Sequence, residues 1–270
     1  MKVFLLFGYL FACDAFNPFS RGLTTKTGRK LSLMGRGPPV VFSTGLFGSM
    51  PAFLYNDFCR LLKRNYTIVT IDDYGIMNLN DYEEIVDALN VKSTAFVSHS
   101  TFDTEILTSD FINSAVLCDP IGLPSVDLSG FKSAEVFSSC PVLGLKAEKT
   151  YSSDFSVPEY QYPIIKGDYE EETYSNMGHI DVLDDWWAEF GKSYGFWDSV
   201  SADISDFNNW KFRSGEGFSK TRLYRKSYRE SMCNRIIGFI KEKNCDSDKN
   251  NKNSGDVKSV VEYNPGLVRL

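Results

Sequence analysis

Histidine is scarce in this 270-residue chain, which contains only His99 and His179. Structural zinc sites usually combine several His and Cys ligands at short spacings, so two distant histidines argue against a zinc site. The six cysteines include no Cys-x-x-Cys pair, and cleavage of a leader after Ala15 would remove Cys13 and leave five. An odd number fits a reducing compartment better than a disulfide framework. We therefore expect structural thiols, no metal site and no cofactor.

Long apolar runs are also missing, and no segment after the N-terminal region is long and apolar enough to span a bilayer. Val3–Phe11 is apolar but short, as in the hydrophobic core of a signal peptide. Residues 16–56 contain five Lys or Arg and no acid, and as far as Gly37 they have the composition of a transit peptide. The junction Asp14–Pro18 resembles the Ala-Phe-Ala-Pro type that marks targeting into complex plastids. We interpret residues 1–37 as a signal plus transit-like segment leading to a plastid. A secretory signal with a basic linker is the alternative, and a buried first strand is a third option.

Net positive charge is lacking in the main body of the chain. The total charge is −6, and residues 57–270 carry −11 because residues 16–56 carry +5. An acidic body argues against a nucleic-acid partner. Hydrophobic residues make up 43% of the chain, as in a globular protein. We place one domain at residues 38–242 and predict a disordered tail at residues 243–270, which begins with a stretch rich in Asn, Asp, Lys and Ser.

Apolar, β-prone runs alternate with amphipathic segments through the body of the chain. This alternation predicts an α/β fold with a mostly parallel central sheet and helices on both faces. The expected strands are residues 39–43, 66–71, 93–97, 114–118, 141–145 and 162–165, and the expected helices are residues 52–62, 82–89, 103–107 and 223–241. The acidic residues 169–176 are predicted to form a loop.

Phe96–Asp103 reads as a strand, a sharp turn that bears Ser100, and a helix, which is the layout of a nucleophile elbow. Asp119 ends the next strand, and functional groups collect at the carboxyl ends of parallel strands. A serine nucleophile needs an imidazole base, and the side chain of His99 should point away from its neighbour Ser100. That leaves His179, which gives the order Ser, Asp, His of α/β-hydrolases. Taken singly, Asp119 also fits a turn before proline, and His179 also fits a cap or loop residue.

Several segments resemble chlorophyllases, which belong to the α/β-hydrolase superfamily. The most specific is Gly178–Asp185 (Gly-His-Ile-Asp-Val-Leu-Asp-Asp), which is similar to their Gly-His-Met-Asp-Met-Leu-Asp-Asp. Ser98–Thr104 is similar to their Gly-His-Ser-Arg-Gly-Gly-Asp-Thr but is one residue shorter, and Thr44-Gly45-Leu46 stands where they have His-Gly-Phe. The likeness covers about residues 38–242.

The resemblance implies a metal-free serine esterase that cleaves chlorophyll to chlorophyllide and phytol. The implied catalytic residues are Ser100, His179 and Asp119. The implied oxyanion donors are the N–H of Thr101 and that of Leu46 or Phe47. The partner is expected to be a small-molecule pigment or lipid ester, and peripheral contact with a membrane stays open.

Two departures from the elbow pattern Gly-x-Ser-x-Gly bear on activity, because Ser98 and Phe102 stand where the glycines belong. Phe102 predicts a looser turn, a weak enzyme, or a hydrolase fold that binds a ligand without catalysis. A general lipase or carboxylesterase is the other alternative. An aromatic-rich stretch after the histidine segment fits either a groove for the phytyl chain or ordinary core; its members are Trp186, Trp187, Phe190, Tyr194, Phe196 and Trp197.

Overall fold

A computed structural model describes residues 21–45, 48, 50–72, 77–121, 135–149, 163–188 and 216–252. The strands are β1 Arg21–Thr24, β2 Lys30–Gly35, β3 Pro39–Ser43, β4 Thr67–Ile71, β5 Thr94–Thr101, β6 Ile112–Ile121, β7 Glu135–Phe137, β8 Val142–Lys149, β9 Ile164–Lys166 and β10 Tyr169–Gly178. The α-helices are α1 Asn56–Leu62, α2 Leu79–Ala88 and α3 Glu216–Lys252. Short 3-10 helices cover Ala52–Tyr55, Thr104–Thr108 and His179–Val182.

Eight strands form the main sheet in the order β1-β2-β4-β3-β5-β6-β8-β10. The six strands from β4 to β10 in this order pair in parallel, whereas β1, β2 and β4 pair antiparallel. Strands β7 and β9 form a separate parallel pair. Because β3, β5 and β6 are neighbours, the carboxyl ends of these strands lie side by side at one edge of the sheet.

Two apolar layers cover the sheet. The α1–α3 layer packs α1 and α3 against residues such as Phe42, Val97 and Leu145. The α2 layer packs α2 and the 3-10 helix Thr104–Thr108 against residues such as Val41 and Phe96. Neighbouring residues of β3 and β5 face opposite layers, as the period of two in a strand requires.

The folded domain begins earlier than the predicted boundary at residue 38, and this part of the prediction is wrong. Strands β1 and β2 form a hairpin, and β2 continues the sheet by pairing with β4. Leu31 is fully buried and lies opposite Ile71. Residues 21–35 therefore belong to the sheet, although Leu31 is the buried residue of β2. Targeting by residues 1–20 stays a prediction, because these residues lie outside the described ones.

Two further boundaries need correction. Residues 169–176 were expected to form a loop, yet they lie in β10, which pairs with β8 over most of its length. The tail was expected to be disordered from residue 243, yet α3 continues to Lys252. Lys243 contributes to this extension because its Nζ lies 3.3 Å from Asp168 and 3.2 Å from Glu170. Residues 253–270 lie outside the described part.

Candidate active site

Ser100 lies at the carboxyl end of β5 with its backbone in the left-handed region, at φ 67°. The pairing of β5 with β6 changes register between His99 and Thr101, so Ser100 sits at an irregularity in the ladder. A residue with a Cβ rarely adopts positive φ, and such conformations cluster at functional sites. Positive φ at the end of a strand is a feature of the strained turn that carries the serine in a nucleophile elbow.

His179 lies between Ser100 and Asp119 in a hydrogen-bonded chain. Its Nε2 is 2.9 Å from the Oγ of Ser100, and its Nδ1 is 2.6 Å from a carboxylate oxygen of Asp119. The carboxylate can only accept, so Nδ1 carries the proton and Nε2 is left to accept from the serine hydroxyl. All three side chains are buried, with Ser100 5% and His179 6% exposed. The structure therefore brings together the three residues that the sequence singled out.

Asp119 is held by the backbone of the next strand. Its second carboxylate oxygen accepts a hydrogen bond of 2.9 Å from the N–H of Ala147 in β8. The residue has φ 46° at the end of β6 and is fully buried. One oxygen is thus fixed by the sheet, while the other bonds His179 and fixes the orientation of its imidazole.

Phe102 does not crowd the described part of the site. Its ring is buried in the α2 layer, with its centroid 6.2 Å from that of Phe96. The expected α-helix after the elbow is absent here, because Thr104–Thr108 forms only a short 3-10 helix. The tight strand-to-helix crossing that demands glycine is therefore not built, and a large side chain fits at this position.

The loop after β3 is closed by its own hydrogen bonds. The N–H of Gly48 donates to the carbonyl of Thr44 over 2.8 Å, and the hydroxyl of Thr44 donates to the carbonyl of Met50 over 2.6 Å. Two of the predicted oxyanion donors, Leu46 and Phe47, lie outside the described residues. The third, Thr101, follows Ser100 directly and is buried. All three oxyanion assignments stay predictions.

His99 points away from Ser100, as expected, but it contacts the site in another way. Its Nδ1 is 2.8 Å from the hydroxyl of Tyr55, and its Nε2 is 2.9 Å from the carbonyl oxygen of His179. The two imidazole rings stack with centroids 4.6 Å apart and an angle of 27° between their planes. Burial lowers the pKa of His99 to about 3, so this ring is neutral beside the candidate base.

Buried charges on α3 hold the segment that carries His179. Asp181 accepts from the N–H of Gly178 over 2.8 Å and from the Nε of Arg225 over 2.8 Å. Arg229 donates to the carbonyl of Leu183 over 2.9 Å and pairs with Asp185. Sequence reasoning did not find these contacts, although Asp181 and Asp185 stand inside the histidine segment that resembles chlorophyllases.

Aromatic side chains lie just beyond the histidine segment. Trp186 is 55% exposed and packs edge-on against Trp187, whose ring is 5.7 Å from that of Phe53. The segment is tied to the 3-10 helix before α1, because the N–H of Asp184 donates to the carbonyl of Leu54. The other aromatics of the predicted groove lie outside the described residues; they are Phe190, Tyr194, Phe196 and Trp197.

Three features indicate the fold: the sheet order, the serine with positive φ near the end of β5, and the chain order Ser100, Asp119, His179. The chain has the α/β-hydrolase fold. This outcome confirms the fold class predicted from the sequence.

Comparison with known proteins adds structural likeness only. No family model matches the sequence, and no curated protein sequence matches it. Naproxen esterase from Bacillus subtilis is 12% identical, with 72% of this chain and 96% of that chain covered and a TM-score of 0.45. A putative epoxide hydrolase from Pseudomonas aeruginosa is 14% identical, with 69% and 98% covered and a TM-score of 0.44. An α/β fold family hydrolase from Bacillus anthracis is 12% identical, with 66% and 97% covered and a TM-score of 0.42. These values carry no information on substrate.

The described ranges contain neither a metal-ligating cluster nor a membrane-spanning helix. No group of three or more His, Cys, Asp and Glu side chains there is arranged to hold a metal ion. None of the helices in those ranges combines the length and apolar character that crossing a bilayer requires.

Proposed function

We propose that this chain is a serine hydrolase of carboxylic esters. The single observation that carries the proposal is the buried hydrogen-bonded chain from the Ser100 hydroxyl through His179 to Asp119, with links of 2.9 and 2.6 Å. Both links have the direction that general-base activation of a serine needs. The fold and the neighbouring backbone supply the setting in which such a chain is used.

Acylation follows from this geometry. The Oγ of Ser100 attacks the ester carbonyl while the Nε2 of His179 takes the hydroxyl proton, and Asp119 stabilises the resulting imidazolium. The carbonyl oxygen becomes an oxyanion, for which the N–H of Thr101 and that of Leu46 or Phe47 are the proposed donors. A donor of this kind contributes about 10²–10³ in rate. The tetrahedral intermediate then expels the alcohol, which takes the proton from His179.

Deacylation repeats the same steps with water. His179 removes a proton from a water molecule, the hydroxide attacks the acyl-serine, and the acid leaves as Ser100 regains its proton. No redox or metal chemistry enters this cycle. The products are one alcohol and one carboxylic acid for each ester cleaved.

We further propose a chlorophyllase-like substrate, so that chlorophyll is cleaved to chlorophyllide and phytol in a plastid. The similarity of Gly178–Asp185 to the chlorophyllase segment supports this choice. Exposed aromatics beside that segment, Phe53 and Trp186, also suit a long apolar alcohol. Each buried CH₂ contributes roughly 0.8 kcal/mol to binding. Such a substrate would bring the protein into peripheral contact with a membrane.

Two other functions fit parts of the same site. A general lipase or carboxylesterase would use the identical triad on a different ester. A binder of pigments or lipids would keep the fold without turnover, which was the concern raised by Ser98 and Phe102 in the elbow. The packing of Phe102 in the α2 layer weakens the argument for a blocked site.

A serine-reactive fluorophosphonate probe tests the hydrolase proposal. We expect the wild-type protein to be labelled, Ser100→Ala to lose the label, and Ser98→Ala to keep it because Ser98 is fully buried. Ester turnover by Ser100→Ala should fall by at least about 10⁴-fold. An unlabelled but folded wild-type protein would overturn the hydrolase proposal in favour of a binder.

The substrate proposal has a separate test. Purified protein is offered chlorophyll in detergent micelles and, in parallel, p-nitrophenyl butyrate, and kcat/KM is compared. Preference for chlorophyll supports the chlorophyllase-like assignment. Preference for the short acyl ester would replace it with a general carboxylesterase and leave the triad proposal standing.

A further inference from the structure

Tyr55 and His99 link the loop after β3 to the segment that carries His179. We propose that these two residues are positioning residues that fix the loop and the base relative to Ser100. This inference deepens the proposed hydrolase function and rests on it. The proposal starts from four buried groups that follow one another within hydrogen-bonding distance: the N–H of Gly45, the Tyr55 hydroxyl, the His99 ring and the His179 carbonyl.

The direction of each hydrogen bond follows from chemistry. A carbonyl oxygen only accepts, so the Nε2 of His99 carries a proton and donates to His179 over 2.9 Å. The Nδ1 of the neutral ring must then accept, and the Tyr55 hydroxyl donates to it over 2.8 Å. The Tyr55 oxygen in turn accepts from the N–H of Gly45 over 2.9 Å. The three hydrogen bonds therefore all donate in the same direction, from the N–H of Gly45 to the carbonyl of His179.

Burial keeps each member in the protonation state that the chain requires. It raises the pKa of Tyr55 far above its ordinary value, so the phenol keeps its proton at neutral pH. It also lowers the pKa of His99 to about 3, so the ring keeps one donor and one acceptor. A neutral ring stacked on His179 adds no positive charge beside an imidazole that must itself become charged during catalysis.

The packing around Tyr55 leaves little room for the hydrogen-bonded side chains of Tyr55 and His99 to move. Its ring meets Phe42 edge-on at 5.2 Å and the His99 ring at 5.5 Å. A Cβ on Gly45 would lie 2.9 Å from the Tyr55 hydroxyl and 3.3 Å from the Nδ1 of His99. The loop therefore approaches Tyr55 and His99 as closely as a glycine backbone allows. Glycine is needed at position 45 for this close approach, and not for a positive φ.

Substitutions at the pair, with a matched control, test the proposal. Tyr55→Phe removes the hydroxyl that bridges Gly45 and His99, and His99→Phe keeps a ring for stacking but removes both hydrogen bonds. The control is Tyr82→Phe, since Tyr82 is equally buried and bonds Thr94 over 2.8 Å in the α2 layer. We expect Tyr55→Phe and His99→Phe to slow fluorophosphonate labelling by about 10- to 100-fold, as misplacement of catalytic groups does. Tyr82→Phe should label at the wild-type rate.

Imidazole NMR gives a readout that does not need turnover. The protein has two histidines, so its ¹⁵N spectrum should show the ring nitrogen signals of two imidazoles. We expect His99 as the Nε2–H tautomer, and a far-downfield Nδ1 proton on His179 that shifts in Tyr55→Phe but not in Tyr82→Phe. A His99 ring in the Nδ1–H form, or a His179 signal unmoved by Tyr55→Phe, would overturn the inference.

The two readouts separate failure of the inference from failure of the proposed function. If the wild type is not labelled but His179 responds to Tyr55→Phe, the hydrolase proposal fails and the positioning of the site stands. If the wild type is labelled and Tyr55→Phe labels as fast as Tyr82→Phe, the hydrolase proposal stands and the positioning inference is wrong.

Discussion

The two layers on either side of the sheet bury different chemistry. The α2 layer is packed with apolar side chains such as Phe96, Phe102 and Ile106. The α1–α3 layer buries comparable apolar groups but also Tyr55, His99 and the pair of Asp181 with Arg225. The polar contacts of the α1–α3 layer reach His179. The α2 layer packs against the opposite face of β5.

This difference separates stability from positioning. Apolar packing is non-directional, so it holds the sheet together without specifying where one imidazole nitrogen lies. Hydrogen bonds are directional, and buried ones are costly to leave unmade. We infer that the α2 layer mainly stabilises the domain and that the α1–α3 layer also sets the geometry of the site.

The largest combined effect, on stability and on labelling, is expected from breaking the buried charge pair. Arg225→Met leaves the Asp181 carboxylate without a guanidinium 2.8 Å away, and removal of one partner from a buried pair costs about 3–5 kcal/mol. Because Asp181 also accepts from Gly178 just before His179, labelling by the fluorophosphonate should slow as well. Chemical denaturation and labelling kinetics measure the two effects.

Arg235→Met is the matched control on the same helix. Arg235 is partly exposed and pairs with Glu170 and Glu172, so its loss should cost less than about 1 kcal/mol. Equal losses from both arginines would remove the distinction between the buried pair and the surface pairs of α3.

Phe102→Ala tests how far the α2 layer stabilises the domain. Removing this buried ring should lower the free energy of unfolding by about 3–5 kcal/mol, because a cavity is left beside Phe96. The control Phe137→Ala removes a ring that is 68% exposed and should change stability by less than about 0.5 kcal/mol. An unchanged stability together with faster labelling would instead place the Phe102 ring in the path of the substrate.

Asp184 should make the free energy of unfolding depend on pH. Burial raises the pKa of Asp184 to about 7, although its carboxylate accepts from the N–H of Asp57 over 2.7 Å. Between pH 4 and 7 the unfolded chain releases this proton while the folded chain keeps it, so stability falls as pH rises through that window. Asp184→Asn cannot ionise and keeps the acceptor. Its advantage in unfolding free energy should grow from near zero at pH 4 to about 2–4 kcal/mol at pH 8.

Denaturation of both proteins at several pH values checks this. A difference between Asp184→Asn and wild type that is the same at pH 4.5 and pH 8 would mean that the carboxylate is already ionised when folded.

Residue pattern alone was enough to predict five strands of the main sheet and the three side chains that meet beside them. Strands β3 and β4 are apolar and rich in β-branched residues, and β5, β6 and β8 each contain an apolar run, so the burial of these strands on both faces is visible in the sequence. The order of Ser100, Asp119 and His179 along the chain, with strand ends at the first two, then indicated which side chains meet.

The edges of the sheet were missed for physical reasons. Strand β10 carries Glu170 and Glu172, which pair with Arg235 more than sixty residues later in the sequence. Because that partner is distant, the local sequence of β10 is typical of a polar loop. Strand β2 lies in a basic, acid-free stretch whose composition outweighed the alternation of Leu31 and Leu33. The Tyr55–His99 contact joins residues 44 positions apart and carries no local signal.

Two of the three triad residues share one backbone feature. Ser100 and Asp119 both have positive φ, a conformation that costs about 1–3 kcal/mol for a residue with a side chain. Glycine would relieve this strain at either site, and a protein that only sequesters an apolar molecule would have no use for the oxygen atoms that glycine lacks. The presence of a hydroxyl and a carboxylate at these two unfavourable positions fits the proposed reaction on a ligand better than storage of one.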